Sequence, residues 1–326
     1  MSESVLSLRD LRVDFKTPNG LVQAVRGVDL DVHPGEAVGI VGESGSGKSV
    51  TFLATMGLLP KSAQITGSAK VGGVELVGAR RNVLNGIRGK RVAMIFQDPL
   101  SALNPVHRIG DQIVEMLDSH QSLTKRDAER RSVELLDIVG IPQPDQRARQ
   151  YPHEFSGGMR QRVMIAMAIA NDPEVLIADE PTTALDVTVQ AQILDVISRI
   201  RDEMRTAVVM ITHDLGVVAR VADKVQVMYA GRVAERTDVS ALFKHPTHPY
   251  TAGLLQSIPR SGLDRLQPIP GSPPNMLRPP EGCPFAPRCT YAEPKCTAVL
   301  PELRTVGTSM SACIRIDEID LTPVPA

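Results

Sequence analysis

The 326 residues carry 36 lysines and arginines against 37 aspartates and glutamates, so no broad basic field points to nucleic acid. No apolar run reaches the roughly 18 to 20 residues a membrane helix needs, and the start, Met1-Ser2-Glu3-Ser4, does not read as a signal peptide. The composition predicts a cytoplasmic globular protein, with a length that allows roughly two domains.

In chain order, Leu8 to Phe15 follows a strand pattern that ends on an aromatic. Val38-Gly39-Ile40-Val41 is a short apolar run suited to a buried strand, and Ser49-Val50-Thr51-Phe52-Leu53 opens a helix-compatible stretch. Between them, Gly42-Glu43-Ser44-Gly45-Ser46-Gly47-Lys48-Ser49 matches the spacing G-x-x-x-x-G-K-[ST]. At such a strand-to-helix turn, the backbone N–H groups of residues 45 to 49 point at phosphate oxygens, and the helix N-terminus adds partial positive charge. Lys48 reaches the β- and γ-phosphates, while the Ser49 hydroxyl helps hold Mg²⁺. A glycine-rich surface turn is the bland alternative; the full spacing and both flanking elements favour the phosphate cradle.

From residue 107 to 139 the pattern turns helical, with apolar positions at Ile109, Ile113, Met116 and Leu117, then Val133, Leu136 and Ile138. The charged run Lys125 to Arg131 fits a solvated face. A second glycine-rich segment follows, Phe155-Ser156-Gly157-Gly158-Met159-Arg160-Gln161. Val175 to Ala178 then reads as a strand ending in Asp179 and Glu180. Adjacent strand residues face opposite sides, so Asp179 can serve a Mg²⁺ shell while Glu180 faces an attacking water as general base. An ordinary strand-end acid is the alternative for Glu180. Another apolar strand, Val209-Met210-Ile211-Thr212, precedes His213. Strand and helix signals alternate over residues 1 to about 97 and again over 164 to about 235, as in a sheet covered by helices.

Together these motifs resemble the ATP-hydrolysing subunit of an ABC transporter, over nearly the whole sequence. The resemblance implies an α/β P-loop (RecA-like) nucleotide-binding domain with an antiparallel β subdomain. It places that domain at residues 1–235, with a helical subdomain inserted at about 98–163. Ser156, Gly157, Gly158 and Met159 resemble the ABC signature, with Met159 where many members have Gln; its helix-end amides contact the γ-phosphate held by the opposite subunit, as helix N-termini bind anions. Gln97 occupies the Q-loop position, which touches Mg²⁺ or the attacking water. His213 resembles the switch histidine, and Ala184-Leu185-Asp186 the D-loop across the dimer interface. Phe15 resembles the aromatic that stacks on adenine; a core or edge aromatic is the competing reading. The expected nucleotide set is therefore Phe15, Gly42, Ser44, Gly45, Ser46, Gly47, Lys48, Ser49, Val50, Ser156 to Met159 and Asp186. Glu180, His213 and Gln97 act in catalysis, and Ser49, Gln97 and Asp179 hold Mg²⁺.

The region from about 236 to 326 narrows the resemblance. His245-Pro246-Thr247-His248-Pro249-Tyr250-Thr251 and Leu254 to Pro259 resemble the C-terminal extension of oligopeptide and dipeptide importer ATPases. The His-Pro repeats read as turn and packing elements rather than metal ligands, and Pro268 to Pro287 as irregular chain. All four cysteines, Cys283, Cys289, Cys296 and Cys313, lie in the last 44 residues, spaced C-x5-C-x6-C-x16-C. That spacing lacks the C-x2-C knuckles of common zinc sites, and a cytosolic setting disfavours disulfides. Four soft thiolates suit a [4Fe–4S] cluster, which resemblance to some importer tails also implies, with Zn²⁺ or free thiols as alternatives.

The resemblance implies an importer of di- or oligopeptides at the cytoplasmic face of a prokaryotic plasma membrane. Its partners are a second related ATPase, in a heterodimer rather than a homodimer, two transmembrane permease subunits and, indirectly, an extracytoplasmic peptide-binding protein. A soluble ABC ATPase of DNA repair or translation, or a transporter of nickel or glycopeptides, is the alternative.

Overall fold

The computed structural model of the protein describes residues 3–183, 185–258 and 268–321. The chain begins with strands β1 (Leu6–Thr17), β2 (Gly20–Val32) and β3 (Ala37–Val41), then helix α1 (Lys48–Thr55). Strands β4 (Ala63–Val71) and β5 (Val74–Glu75), helix α2 (Arg81–Ile87) and strand β6 (Val92–Ile95) follow. A helical stretch comes next: α3 (Pro99–Ala102), α4 (Ile109–Asp118), α5 (Lys125–Ile138), α6 (Pro144–Arg147) and α7 (Gly157–Ala168). Alternation then returns with β7 (Val175–Asp179), α8 (Val187–Met204), β8 (Ala207–Thr212), α9 (Leu215–Val221), β9 (Lys224–Tyr229) and β10 (Arg232–Asp238). The last elements are α10 (Val239–Lys244), α11 (Pro249–Gln256), α12 (Pro294–Ala298), β11 (Arg304–Val306) and β12 (Ser309–Ser311).

Two compact units are interleaved along the sequence. The first takes residues up to Ser7, Asp31–Ala37 and Lys70–Ile211; the second takes Leu8–Leu30, Val38–Ala69 and the chain from Thr212 onward.

In the first unit, β6, β7 and β8 run parallel, with Ile95 opposite Ala178 and Ala178 opposite Met210. Every residue of β6, β7 and β8 is buried, which explains why these strands are unbroken apolar runs: a parallel sheet is covered on both faces. The helices beside it are amphipathic. Ile109, Ile113 and Leu117 fall one turn apart on α4 and are buried, as are Leu135 and Leu136 on α5. Met116, Val133 and Ile138 flank that stripe and are only half-buried. Thr124 caps α5 by accepting the Asp127 N–H, and the charged run that follows is largely exposed, with Ala128 alone fully turned inward.

In the second unit, β1 lies between β2 and β4. Strand β3 runs parallel to β9, β9 is antiparallel to β10 with a bulge between Val233 and Glu235, and β10 pairs with β12 of the tail. The C-terminal segment is thus tied in by ladder hydrogen bonds as well as by packing. Its core gathers Tyr229, Tyr250 and Phe285, with ring centroids 4.6 to 5.4 Å apart in tilted and edge-on arrangements, the geometry that ring quadrupoles favour. Pro268 to Phe285 contains no helix or strand, but the stretch read as irregular up to Pro287 ends in a short 3-10 helix, Ala286–Arg288.

Candidate functional site

Strand β3 delivers the chain to Gly42 and α1 carries it away from Lys48, the strand-turn-helix context the motif requires. Gly42 has φ +154° and a Cβ there would lie 2.1 Å from the Met228 carbonyl oxygen; Gly47 has φ +97° and a Cβ would lie 2.6 Å from the Ala24 carbonyl oxygen. Both positions therefore demand glycine on steric grounds. Lys48 is buried, and its Nζ donates to the carbonyl oxygens of Gly42 at 2.7 Å and Glu43 at 3.0 Å. The Ser46 hydroxyl is buried with no hydrogen-bond partner, an acceptor-seeking group at the floor of the loop. Glycine backbone, a lysine ammonium and an unpartnered hydroxyl are the groups that phosphate-binding loops of this spacing present to a nucleotide. Ser49 and Val50 follow on α1, half-buried; Ser44 and Gly45 are exposed, and Phe15, near the end of β1, is half-buried.

The first unit holds a second constellation. Asp179 ends β7 and is buried, while Glu180 leaves the strand with φ +46°, a left-handed conformation that is uncommon for a non-glycine residue. The Glu180 N–H donates to the Ile211 carbonyl at 2.9 Å, which fixes the turn. Its Oε2 accepts from Gln97 Nε2 at 3.0 Å and from Thr183 Oγ1 at 2.8 Å. The expected general base and the expected Q-loop glutamine are therefore in direct contact. Thr183 was not legible as a participant: a Thr three residues after an acid is too common a pattern to signal one.

The signature residues open α7. Ser156 is its N-cap, its Oγ accepting the Met159 N–H at 3.4 Å, and both Ser156 and Gly157 are exposed. Gly158 is close-packed; a Cβ there would lie 2.5 Å from Val189 Cγ1. Asp186, the expected D-loop acid, is the N-cap of α8 and accepts the Val189 N–H at 2.9 Å. Ala184 lies outside the described residues. His213 is exposed just beyond β8, where Asp214 caps α9 by accepting the Gly216 N–H at 2.7 Å.

The second unit also brings in residues that no spacing rule links to the nucleotide loop. Glu43 is bonded to Tyr250 and Arg288, which lie 207 and 245 residues further along the chain.

The tail corrects one expectation. Cys283, Cys289, Cys296 and Cys313 all line one apolar pocket. Among the described residues, no three or more Cys, His, Asp or Glu side chains are grouped to hold a metal, so neither the cluster nor Zn²⁺ is supported. Burial pushes the Cys289 thiol up to about 11 and raises Cys283 and Cys313 as well. His248, in the same lining, accepts the Tyr250 N–H through Nδ1 and caps α11, the packing role expected of the His-Pro segment.

This fold and this loop define an ATP-binding cassette. Residues 25–183 match the family described as ABC transporter, and residues 234–296 match the oligopeptide/dipeptide transporter C-terminal region. An oligopeptide transport ATP-binding protein, OppD, of Haemophilus influenzae is 52% identical over 92% of this chain and 94% of its own length. A dipeptide transport ATP-binding protein, DppD, of Bacillus subtilis is 52% identical over 92% of this chain and 90% of its own. OppD of Mycobacterium tuberculosis is 54% identical over 96% of this chain, which spans only 52% of that relative's length. A solved ATP-binding cassette, dimeric in a post-hydrolysis state with ADP and Pi, superposes with a TM-score of 0.65 at 26% identity, covering 72% of this chain and 98% of that one. The chain belongs to the ABC transporter family, in its oligopeptide and dipeptide transport ATP-binding branch.

Proposed function

We propose that this chain is the ATP-hydrolysing subunit of an importer of dipeptides or oligopeptides. The observation that carries the reading is the joining, in one chain, of an ABC region at 25–183 with the oligopeptide/dipeptide transporter C-terminal region at 234–296. Lys48 and the N–H groups of residues 45 to 49 bind the triphosphate, with Phe15 against the adenine. Ser49, Asp179 and Gln97 are the residues that hold Mg²⁺, which when bound neutralises charge developing on the phosphates. Glu180 accepts a proton from the attacking water, and Gln97 and Thr183 keep its carboxylate oriented. His213 contacts the γ-phosphate. The signature residues Ser156 to Met159 close over the nucleotide of a second, related ATPase subunit, and Asp186 belongs to the interface between them.

No helix among the described residues is long and apolar enough to cross a membrane; in the proposed importer the translocation path is supplied by two permease subunits. The chain then works at the cytoplasmic face of a prokaryotic plasma membrane, and an extracytoplasmic binding protein delivers the peptide. A heterodimer of ATPases is the favoured form. Reconstitution of the chain with its permeases in vesicles tests the reading: uptake of labelled peptide that needs ATP supports it. Purification with nucleic acid instead of hydrophobic subunits, and no peptide uptake, would sink it.

A further inference from the structure

We propose that Arg288 and Tyr250 of the C-terminal extension are positioning residues for the nucleotide loop, acting through Glu43. Glu43 is the second residue of the loop and is held on three sides. Its N–H donates to the Tyr250 hydroxyl oxygen at 2.8 Å. Its carbonyl oxygen accepts from Lys48 Nζ at 3.0 Å. Its carboxylate accepts from both terminal nitrogens of the Arg288 guanidinium, Nη1 at 2.7 Å and Nη2 at 3.0 Å. The two-pronged pairing is specific to arginine, because only a planar fork matches both carboxylate oxygens.

Arg288 is itself immobilised, which makes it an anchor rather than a surface partner. Its side chain is 6% exposed. Nε donates to the Pro270 carbonyl at 2.7 Å, Nη1 to the Tyr229 hydroxyl at 3.2 Å, and the guanidinium lies 5.8 Å from the Tyr229 ring centroid. Tyr250 is fully buried among Tyr229 and Phe285. The aromatic core of the extension therefore fixes both groups that reach the loop. In this way the tail sets the position of the carbonyl that seats the Lys48 ammonium.

Charge gives the arrangement a functional reason. A carboxylate next to Gly42 adds negative charge where a triphosphate must bind, and unpaired it repels the ligand. Pairing with Arg288 cancels that charge and turns the side chain into a brace. An ordinary structural ion pair would have no bearing on nucleotide affinity.

The inference rests on the reading of residues 42–49 as the phosphate cradle, and the test separates the two. A fluorescent ATP analogue is titrated into the full chain. Arg288→Gln is expected to raise the dissociation constant about tenfold, the effect of one charge-assisted hydrogen bond. The double variant Glu43→Gln/Arg288→Gln, which removes the exposed charge, is expected to recover to within about threefold of the parent. In the assembled transporter Arg288→Gln raises KM for ATP with little change in kcat. Parental affinity in Arg288→Gln, a double variant as weak as the single, or a fall in kcat at unchanged KM overturns the proposal. If Arg288→Gln does not fold, Tyr250→Phe keeps the buried ring and loses only the hydroxyl. It is expected to weaken binding about threefold to fivefold, and parental affinity there overturns the proposal equally. Unchanged binding in Lys48→Ala would instead overturn the phosphate-cradle reading itself.

Discussion

Glu180 keeps a positive φ of 46°, a conformation that costs a non-glycine residue on the order of 1 to 3 kcal/mol, and the surrounding bonds hold it there. Its N–H is tied to Ile211, and one carboxylate oxygen takes hydrogen bonds from both Gln97 and Thr183. Strain of this kind persists where the surroundings hold it, and here it sits directly after Asp179, the buried last residue of β7. Glu180→Gln keeps the size and one oxygen able to accept from Gln97 and Thr183, but cannot take up a proton from water. It is expected to lower ATP turnover of the assembled complex by about 10² to 10⁴-fold, the usual worth of a general base, while nucleotide affinity stays within about twofold. Steady-state ATPase with a parallel binding titration checks both halves. Thr183→Val removes one of two orienting bonds and should cost less in kcat than Glu180→Gln does; a cost as large would assign the main duty to the threonine.

Helix α11 carries a pH dependence of its own. Its cap, His248, is buried, and desolvation depresses the imidazole to about 4 although a backbone hydrogen bond with Ala312 partly opposes this. The unfolded chain takes up the proton at about 6.5, so the folded state binds fewer protons between those values. Stability from this group is complete above about pH 6.5 and is lost as pH falls toward 4, by roughly 3 kcal/mol for the drop from 6.5 to about 4. Glu235, which accepts the backbone N–H groups of Thr247 and His248, works in the other direction. Burial raises its carboxyl, so its protonation is easier in the folded state and offsets part of the loss. Thermal melts of the full chain are expected to show a lower Tm at pH 5 than at pH 7. His248→Gln, which can still accept the Tyr250 N–H, should flatten that slope; an unchanged slope would remove His248 as its source. Such a role for the His-Pro segment could be expected from sequence only as packing, because burial is a property of the whole tail. What was legible had local causes. The strand, glycine turn and lysine-bearing helix at 37–55 follow from a contiguous pattern, and so do β7 with its acidic end and the inward stripe of α4. The grip of Arg288 on Glu43 was not legible, since 245 residues separate the pair and no period connects them. The cysteines mislead for a related reason: spacing counts residues, but whether their side chains are grouped to hold a metal depends on how β12, α12 and the irregular chain before them pack.

In the proposed reading the phosphate cradle and the signature serve different nucleotides, and the start of α7 is open to solvent. Ser156 and Gly157 are exposed, and the Ser156 hydroxyl holds the Met159 N–H only at 3.4 Å, a long bond that an incoming phosphate oxygen can replace. The first N–H groups of a helix as long as α7, with its 12 residues, form an anion site backed by the helix dipole. In the proposed dimer that site serves the nucleotide bound by the other subunit, so binding and hydrolysis should separate under mutation. Ser156→Arg fills the exposed end of α7 with a long side chain and leaves Gly42 to Ser49 untouched. Nucleotide titration of the full chain by itself is expected to give the parental dissociation constant within about twofold, whereas ATPase of the assembled complex is expected to fall by at least about a hundredfold, the worth of losing a preorganised charge-stabilising group. If affinity falls in the isolated chain as far as turnover falls in the complex, Ser156 acts on its own chain's nucleotide, and closure of one subunit over the other is not what completes the site.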